Sequence, residues 1–225
     1  MGHVHSLNAG RSEPNPVKEG MHTGIGKRPV EAAQVRAPGP KKGGLGSGLV
    51  GDFVGDDRHH GGDRQAVYAY AREELDAWEG RLGRGLPDGV FGENLTTLGV
   101  DVDGALVGER WRVGEEVVLE VCGPRLPCAT FASRMGERGW VRRFTEVGAS
   151  GAYLAVVAPG TIRSGDTVEV VHRPDHAVDV RLTFRAFTGD LDAAARVLEA
   201  RVLGEDDHAD LLETWERRTR RRHAG

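Results

Sequence analysis

The chain is short of cysteine, of lysine, of aromatic residues and of long apolar runs, and each shortage removes a class of protein. Two cysteines in 225 residues do not make a disulfide scaffold, and they cannot hold an iron–sulfur cluster. Only Lys18, Lys27, Lys41 and Lys42 are lysines, so arginine supplies nearly all of the 30 cations. Against 34 acidic residues the net charge is −4, which argues against a coat for polymeric nucleic acid. No apolar stretch nears the roughly 20 residues that span a bilayer, so no membrane partner is expected. The N-terminus MGHVHSLNAGRSEPNPVKEG has no apolar core of a secretory signal. It begins MGxxxS, a short and common match to a myristoylation pattern. A reducing cytoplasm is the expected setting.

What the chain does have is glycine, 33 residues of it, punctuating short β-prone runs. Residues 1–19 read as a flexible leader. The segment AAQVRAPGPKKGGLGSGLVGDFVGD is loop-rich. Asp63 suits the N-cap of a helix on which Val67, Tyr70, Ala71, Leu75 and Trp78 share one face. Further on, GALVGERWRVGEEVVLEVCG holds two or three strands, with Val117, Leu119 and Val121 alternating against polar or smaller residues. Three or four more strands fit GAYLAVVAPGTIRSGDTVEVVHRPDHAVDVRLTFRAF. From Asp190 the pattern turns helical and predicts two helices. The fold class expected is mainly β with helices: a barrel-like β domain over residues 20–180 and a short helical tail over 190–225.

Several motifs offer chemistry. GSGLVG at 46–51 matches a dinucleotide fingerprint, but neither a strand before nor a helix after it is predicted, so a turn-rich loop explains it. Gly61 and Gly62, just ahead of the Asp63 helix start, permit either a tight turn or close approach of an anion flanked by His60 and Arg64. A zinc site joining His59 or His60 to the cysteines is poorly signalled. His172 and His176, in HRPDH, fall in a turn. GVFGENLTTLG, residues 89–99, places Glu93, Asn94 and Thr96 between apolar anchors, either as a packed polar turn or as a loop facing a heterocycle. EVCGPRLPC holds both thiols. Cys122 continues a strand and reads as a small core residue. Cys128 stands where the strand pattern ends, three residues after Arg125, a cation that favours a thiolate and hence a soft metal ligand.

HHGGDRQAVYAYAREELDAW, GVFGENLT and GPRLPC occur in the order and at about the spacing of MOSC domains, named for the C-terminal domain of molybdenum cofactor sulfurase. TGIGKRPV and GAYLAVVAPGTIRSGDTVEVVHRPDHAV extend the likeness over roughly residues 20–180, and the chain resembles the small stand-alone bacterial branch of that family. The resemblance implies a β-barrel-like fold holding the molybdenum cofactor, with Cys128 as the metal's protein thiolate. Arg125 would hold the anionic cofactor, with Lys27, Arg28, His60 and Arg64 as further candidates and Glu93, Asn94 and Thr96 in the pocket loop. It implies reduction of N-hydroxylated compounds, such as hydroxylaminopurines or amidoximes, with electrons from a separate donor protein. Phe91, Trp111 or Trp140 would stack a purine unless they serve the core. Two other readings stay open: a sulfur carrier bearing a persulfide on Cys128, for which no desulfurase module with its Schiff-base lysine is attached, and a non-enzymatic binding module that has lost its cofactor.

Overall fold

The computed structural model describes residues 2–223, the side chain of His223 excepted. In chain order its strands are β1 (Gly2–Ala9), β2 (Glu13–Pro14), β3 (His22–Thr23), β4 (Arg28–Val30), β5 (Ala32–Val35), β6 (Val67–Ala71), β7 (Leu95–Leu98), β8 (Arg110–Val113), β9 (Val117–Pro124), β10 (Ala152–Ala158), β11 (Gly160–Arg163) and β12 (Thr167–His172). The helices are α1 (Arg72–Leu82), α2 (Ala129–Met135), α3 (Trp140–Val147), α4 (Val180–Thr188), α5 (Leu191–Ala200) and α6 (Glu205–His223).

Seven strands run round a closed barrel in the order β12-β8-β9-β10-β6-β7-β1, and β1 returns to β12 through Gly2↔Val168 and His3↔Thr167. Among the described strands only β6 and β7 pair in parallel. Closure pairs both margins of the seven-strand sheet, while β4 adds to β1 and the pairs β5–β11 and β2–β3 lie outside the barrel. Alternation explains which side chains go in. Val117, Leu119 and Val121 of β9 point into the barrel with Trp111, Val113 and Leu154, all almost fully buried.

β6 is buried on both faces. Val67, Ala69 and Ala71 fill the barrel, while Tyr68 and Tyr70 face an aromatic layer with Trp78, Phe91, Phe131, Trp140 and Phe144. The helices α1, α2 and α3 carry most of that layer, and Phe131 meets Trp140 edge-on at 5.4 Å between ring centroids. Burying each such ring contributes about 1.5–3 kcal/mol. A third cluster joins α4, α5 and α6 to Val107 and Val178. Asp179 caps α4 by accepting from the Leu182 amide at 2.6 Å, and Asp190 caps α5 by accepting from the Ala193 amide at 3.0 Å.

Three sequence expectations change. Residues 2–9 are not a loose leader but β1, a barrel staple whose Val4 and Leu7 are fully buried. Gly2 is buried too, and a Cβ there would meet Val100 Cγ2 at 2.3 Å. The helix predicted from Asp63 begins only at Arg72. Residues 63–65 form one 3-10 turn, and VYAYA is extended. A strand buried on both faces is apolar throughout, so it imitates the spacing of a helix face. Residues 180–188, predicted as strand, are helical because Asp179 caps them and their apolar face seats on α5. Phe91, Trp111 and Trp140 are core side chains, each at most 1% exposed, and none is free to stack a ligand.

Candidate functional site

Beside the aromatic layer lies a small cavity of about 110 Å³, lined by the 22–27 and 47–56 loops and by Tyr68, Arg125, Cys128 and Tyr153. A larger groove of about 600 Å³ runs between the end of β9, the 58–65 turn and the helical tail. The cavity and the groove share a wall made of His60, Gln65, Cys128, Thr130 and Tyr153. Cys128 stands at that wall because β9 ends at Pro124 and the chain turns into α2, for which Cys128 is the extended N-cap residue. Pro124 and Pro127 stiffen the turn. Both cysteines are free thiols. Cys122 is buried at the end of the barrel wall, and burial pushes its thiol up to about 11.

Arg125 is the electrostatic centre. It is 6% exposed and lies among rings, its Cζ 4.2 Å from the Phe131 centroid and 5.1 Å from that of Tyr68. One guanidinium nitrogen donates to the Phe91 carbonyl. Nε has no hydrogen-bond partner, and no carboxylate pairs with this cation among the described residues. Gly92, at φ +81°, keeps the approach open: a Cβ there would sit 3.3 Å from an Arg125 nitrogen. His60 is held down to about 4 by burial first and by the Arg125 charge second, so its imidazole is neutral at pH 7.

The other sequence-predicted residues divide. Lys27 and Asn94 line the small cavity, but both are engaged by Asp52, a carboxylate that no motif singles out. Lys27 Nζ donates to Asp52 Oδ2 at 2.6 Å, Asn94 Nδ2 at 3.0 Å, Ser47 Oγ at 2.7 Å, and the Gly10 amide donates to Oδ1 at 2.6 Å. Glu93 and Thr96 are fully buried and line neither space. Glu93 accepts from the amides of Gly89 at 2.6 Å and Phe91 at 3.0 Å and from Thr96 Oγ1 at 3.0 Å, and burial raises its carboxyl to about 7. Arg64 lines the groove, donating to the Cys122 carbonyl at 3.3 Å and pairing with Asp207 of α6 at 3.7 Å. Arg28 lies apart from both spaces, in a separate hollow on the far side of the 22–28 loop.

The glycine pair and the histidines also resolve. A Cβ on Gly61 would meet the Gly46 carbonyl oxygen at 2.7 Å, and one on Gly62 the Lys41 amide nitrogen at 2.8 Å. Both glycines (φ +81° and +78°) therefore serve the packing of the 39–48 loop, which runs on into GSGLVG at 46–51. His59 is bound to Asp56, 3.1 Å from Nδ1 to Oδ2. No group of three or more potential metal ligands of the histidine, cysteine or carboxylate kind occurs among the described residues.

The model of the MOSC domain matches residues 56–169. The chain belongs to the MOSC family. The uncharacterized protein YflK of Bacillus subtilis is 30% identical over 218 residues, covering 95% of each chain. YiiM of Escherichia coli is 29% identical over 56% of this chain and 57% of its own. A protein of Gibberella moniliformis named "Reductase" is 29% identical over 72% of this chain, which spans only a third of that protein. Among solved structures, YiiM from Geobacillus stearothermophilus superposes with a TM-score of 0.73 at 25% identity, covering 97% of this chain and 99% of the other. The barrel with its helical tail is thus the architecture of this MOSC branch. No helix among the described residues is long and apolar enough to cross a membrane.

Proposed function

We propose that this MOSC protein binds the molybdenum cofactor through Cys128 and Arg125 and reduces N-hydroxylated compounds. The observation that carries the reading is Arg125: a buried guanidinium without a counter-ion, its Nε unpartnered, beside the one half-exposed thiol. A buried unpaired charge is costly, and an anionic group bearing phosphate or dithiolene sulfur offsets that cost. A thiolate is a soft ligand suited to a heavy transition metal. The residues present therefore fit the cofactor that MOSC domains are associated with.

In this reading Cys128 Sγ holds the metal at the wall between cavity and groove, and Arg125 balances the charge of the cofactor. Asp52 keeps Lys27 and Asn94 in place around the cavity. When bound, the cofactor supplies a two-electron couple for the net conversion of R–NH–OH, two electrons and two protons into R–NH₂ and water. His60, neutral at pH 7, orients by hydrogen bonding. With a pKa near 4 only roughly one imidazole in a thousand carries the extra proton at that pH, so protons for water formation come through the open groove. Electrons come from a separate donor protein.

The test is metal and pterin content of protein made in a host that synthesises the cofactor. About one molybdenum per chain is expected, lost in Cys128→Ala and kept in Cys122→Ser, with reduction of a hydroxylaminopurine or amidoxime following the metal. Protein that stays free of molybdenum and pterin, or that carries a +32 Da persulfide on Cys128 in native mass spectrometry, would overturn the reading in favour of sulfur transfer.

A further inference from the structure

Resting on that reading, we propose that the larger groove is the substrate site and that it takes an N-hydroxylated base bearing a 5′-phosphate, a nucleotide rather than a free base. Gln65 supplies the first observation. It lies in the wall common to cavity and groove, to which Cys128 also belongs. Its side-chain amide makes no hydrogen bond to the protein, and Oε1 is buried without a partner. An orphaned buried carbonyl oxygen is costly, and its natural complement is the N–H of a planar amidine-like edge, with the amide N–H₂ facing a ring nitrogen. That is the edge an N-hydroxylated adenine-type base presents.

The second observation is the charge along the groove. Lys41 and Arg58 line it and have no ion-pair partner among the described residues. The groove's other cations are already engaged, Lys18 by Asp56 and Arg64 by Asp207. Lys41 packs its backbone on Gly62, three residues before Gln65, so this cationic rim adjoins the free amide. The part of the lining on α6 carries Asp210 and Asp207, the latter paired with Arg64, and offers a phosphate no free cation. A ligand with its base edge at Gln65 therefore directs its phosphate toward Lys41 and Arg58. At about 600 Å³ the groove is far larger than a bare base needs, and Leu126, Phe187 and Leu203 give the sugar and ring apolar contact.

The experiment compares hydroxylaminopurine, its riboside and its riboside 5′-monophosphate on cofactor-loaded protein, and measures binding of AMP against adenosine to the same full chain by calorimetry. The expected result is kcat/KM about five- to tenfold higher for the monophosphate than for the riboside, from two exposed charge contacts. The preference should shrink with salt and vanish in Lys41→Glu/Arg58→Glu, with molybdenum and pterin content unchanged. Gln65→Leu should raise KM for all three compounds and leave pterin content as it was. Equal use of riboside and monophosphate by a molybdenum-containing protein overturns this inference and spares the reductase reading. Loss of pterin in the charge-reversed variant also overturns it, by assigning those cations to the cofactor. AMP bound more tightly than adenosine by protein without molybdenum supports the groove and sinks the reductase.

Discussion

Two polar regions meet at the small cavity, and they are built on opposite principles. In residues 93–96 every polar side chain is spent. Glu93 accepts three hydrogen bonds, Thr96 bridges Glu93 and Asn8, and Asn94 holds Asp52, the Asn8 carbonyl and the Tyr68 amide. In the cavity lining at His60, Gln65 and Arg125 capacity is left over: a neutral imidazole, a free amide and a guanidinium with an orphaned Nε. Satisfied buried networks rigidify a fold, and unsatisfied ones stand ready for something else. The difference marks the first region as scaffold and the second as receptor.

Breaking the scaffold should have the largest effect on stability. Asp52→Ala leaves the Lys27 ammonium buried and unpaired, its side chain 7% exposed. It is expected to destabilise the protein by about 3–5 kcal/mol in urea unfolding, whether or not the cofactor is bound. A loss below about 1 kcal/mol would show that the hub is dispensable.

The two regions should also respond oppositely to pH. The Glu93 carboxyl lies at about 7 in the folded protein against 4.5 ordinarily, so its contribution is complete below pH 4.5 and is lost as pH rises through 7. The His60 imidazole lies near 4 against 6.5, so its contribution is complete above pH 6.5 and is lost as pH falls toward 4. Glu93→Gln should flatten the decline between pH 5 and 8, and a neutral replacement, His60→Asn, should flatten the acid limb. Denaturation midpoints measured from pH 4 to 8 decide both, and an unaltered profile in either variant removes that group from the account.

Arg125→Met sharpens the comparison most. Removing an unpaired buried charge for an apolar side chain should shift apo stability by no more than about 1 kcal/mol, in either direction, while pterin retention is lost. Strong destabilisation of the apo protein would instead place Arg125 with the scaffold. The smallest effect belongs to Arg64→Ala. Its bridge to Asp207 is 3.7 Å long between side chains about 40% exposed, and about 0.5 kcal/mol or less is expected. Thermal unfolding of the single and double variants measures that coupling.

Some of this was legible in residues alone. Glycine-punctuated runs and the alternation of Val117, Leu119 and Val121 announced a β barrel, because a strand with one face in the core must alternate. GPRLPC announced its thiol, because prolines and an arginine crowd one cysteine and not the other. β1 was not legible, since His3, His5 and Ser6 dilute a strand that the barrel alone holds in register. VYAYA was misread because burial on both faces erases the period that separates strand from helix. Lys27 and Arg28 looked alike as neighbouring cations, yet consecutive residues at a strand edge point to opposite sides, one into the cavity and one away from it.

The sequence by itself determined the architecture of the barrel and the family, which rest on local patterns and ordered motifs. Only the tertiary structure decided which polar residues are free. Whether Asn94, Glu93, Gln65 or Arg125 has hydrogen-bonding capacity left depends on partners as far as 86 residues away, as in the bond from Asn94 to the Asn8 carbonyl. No pattern along the chain carries that information.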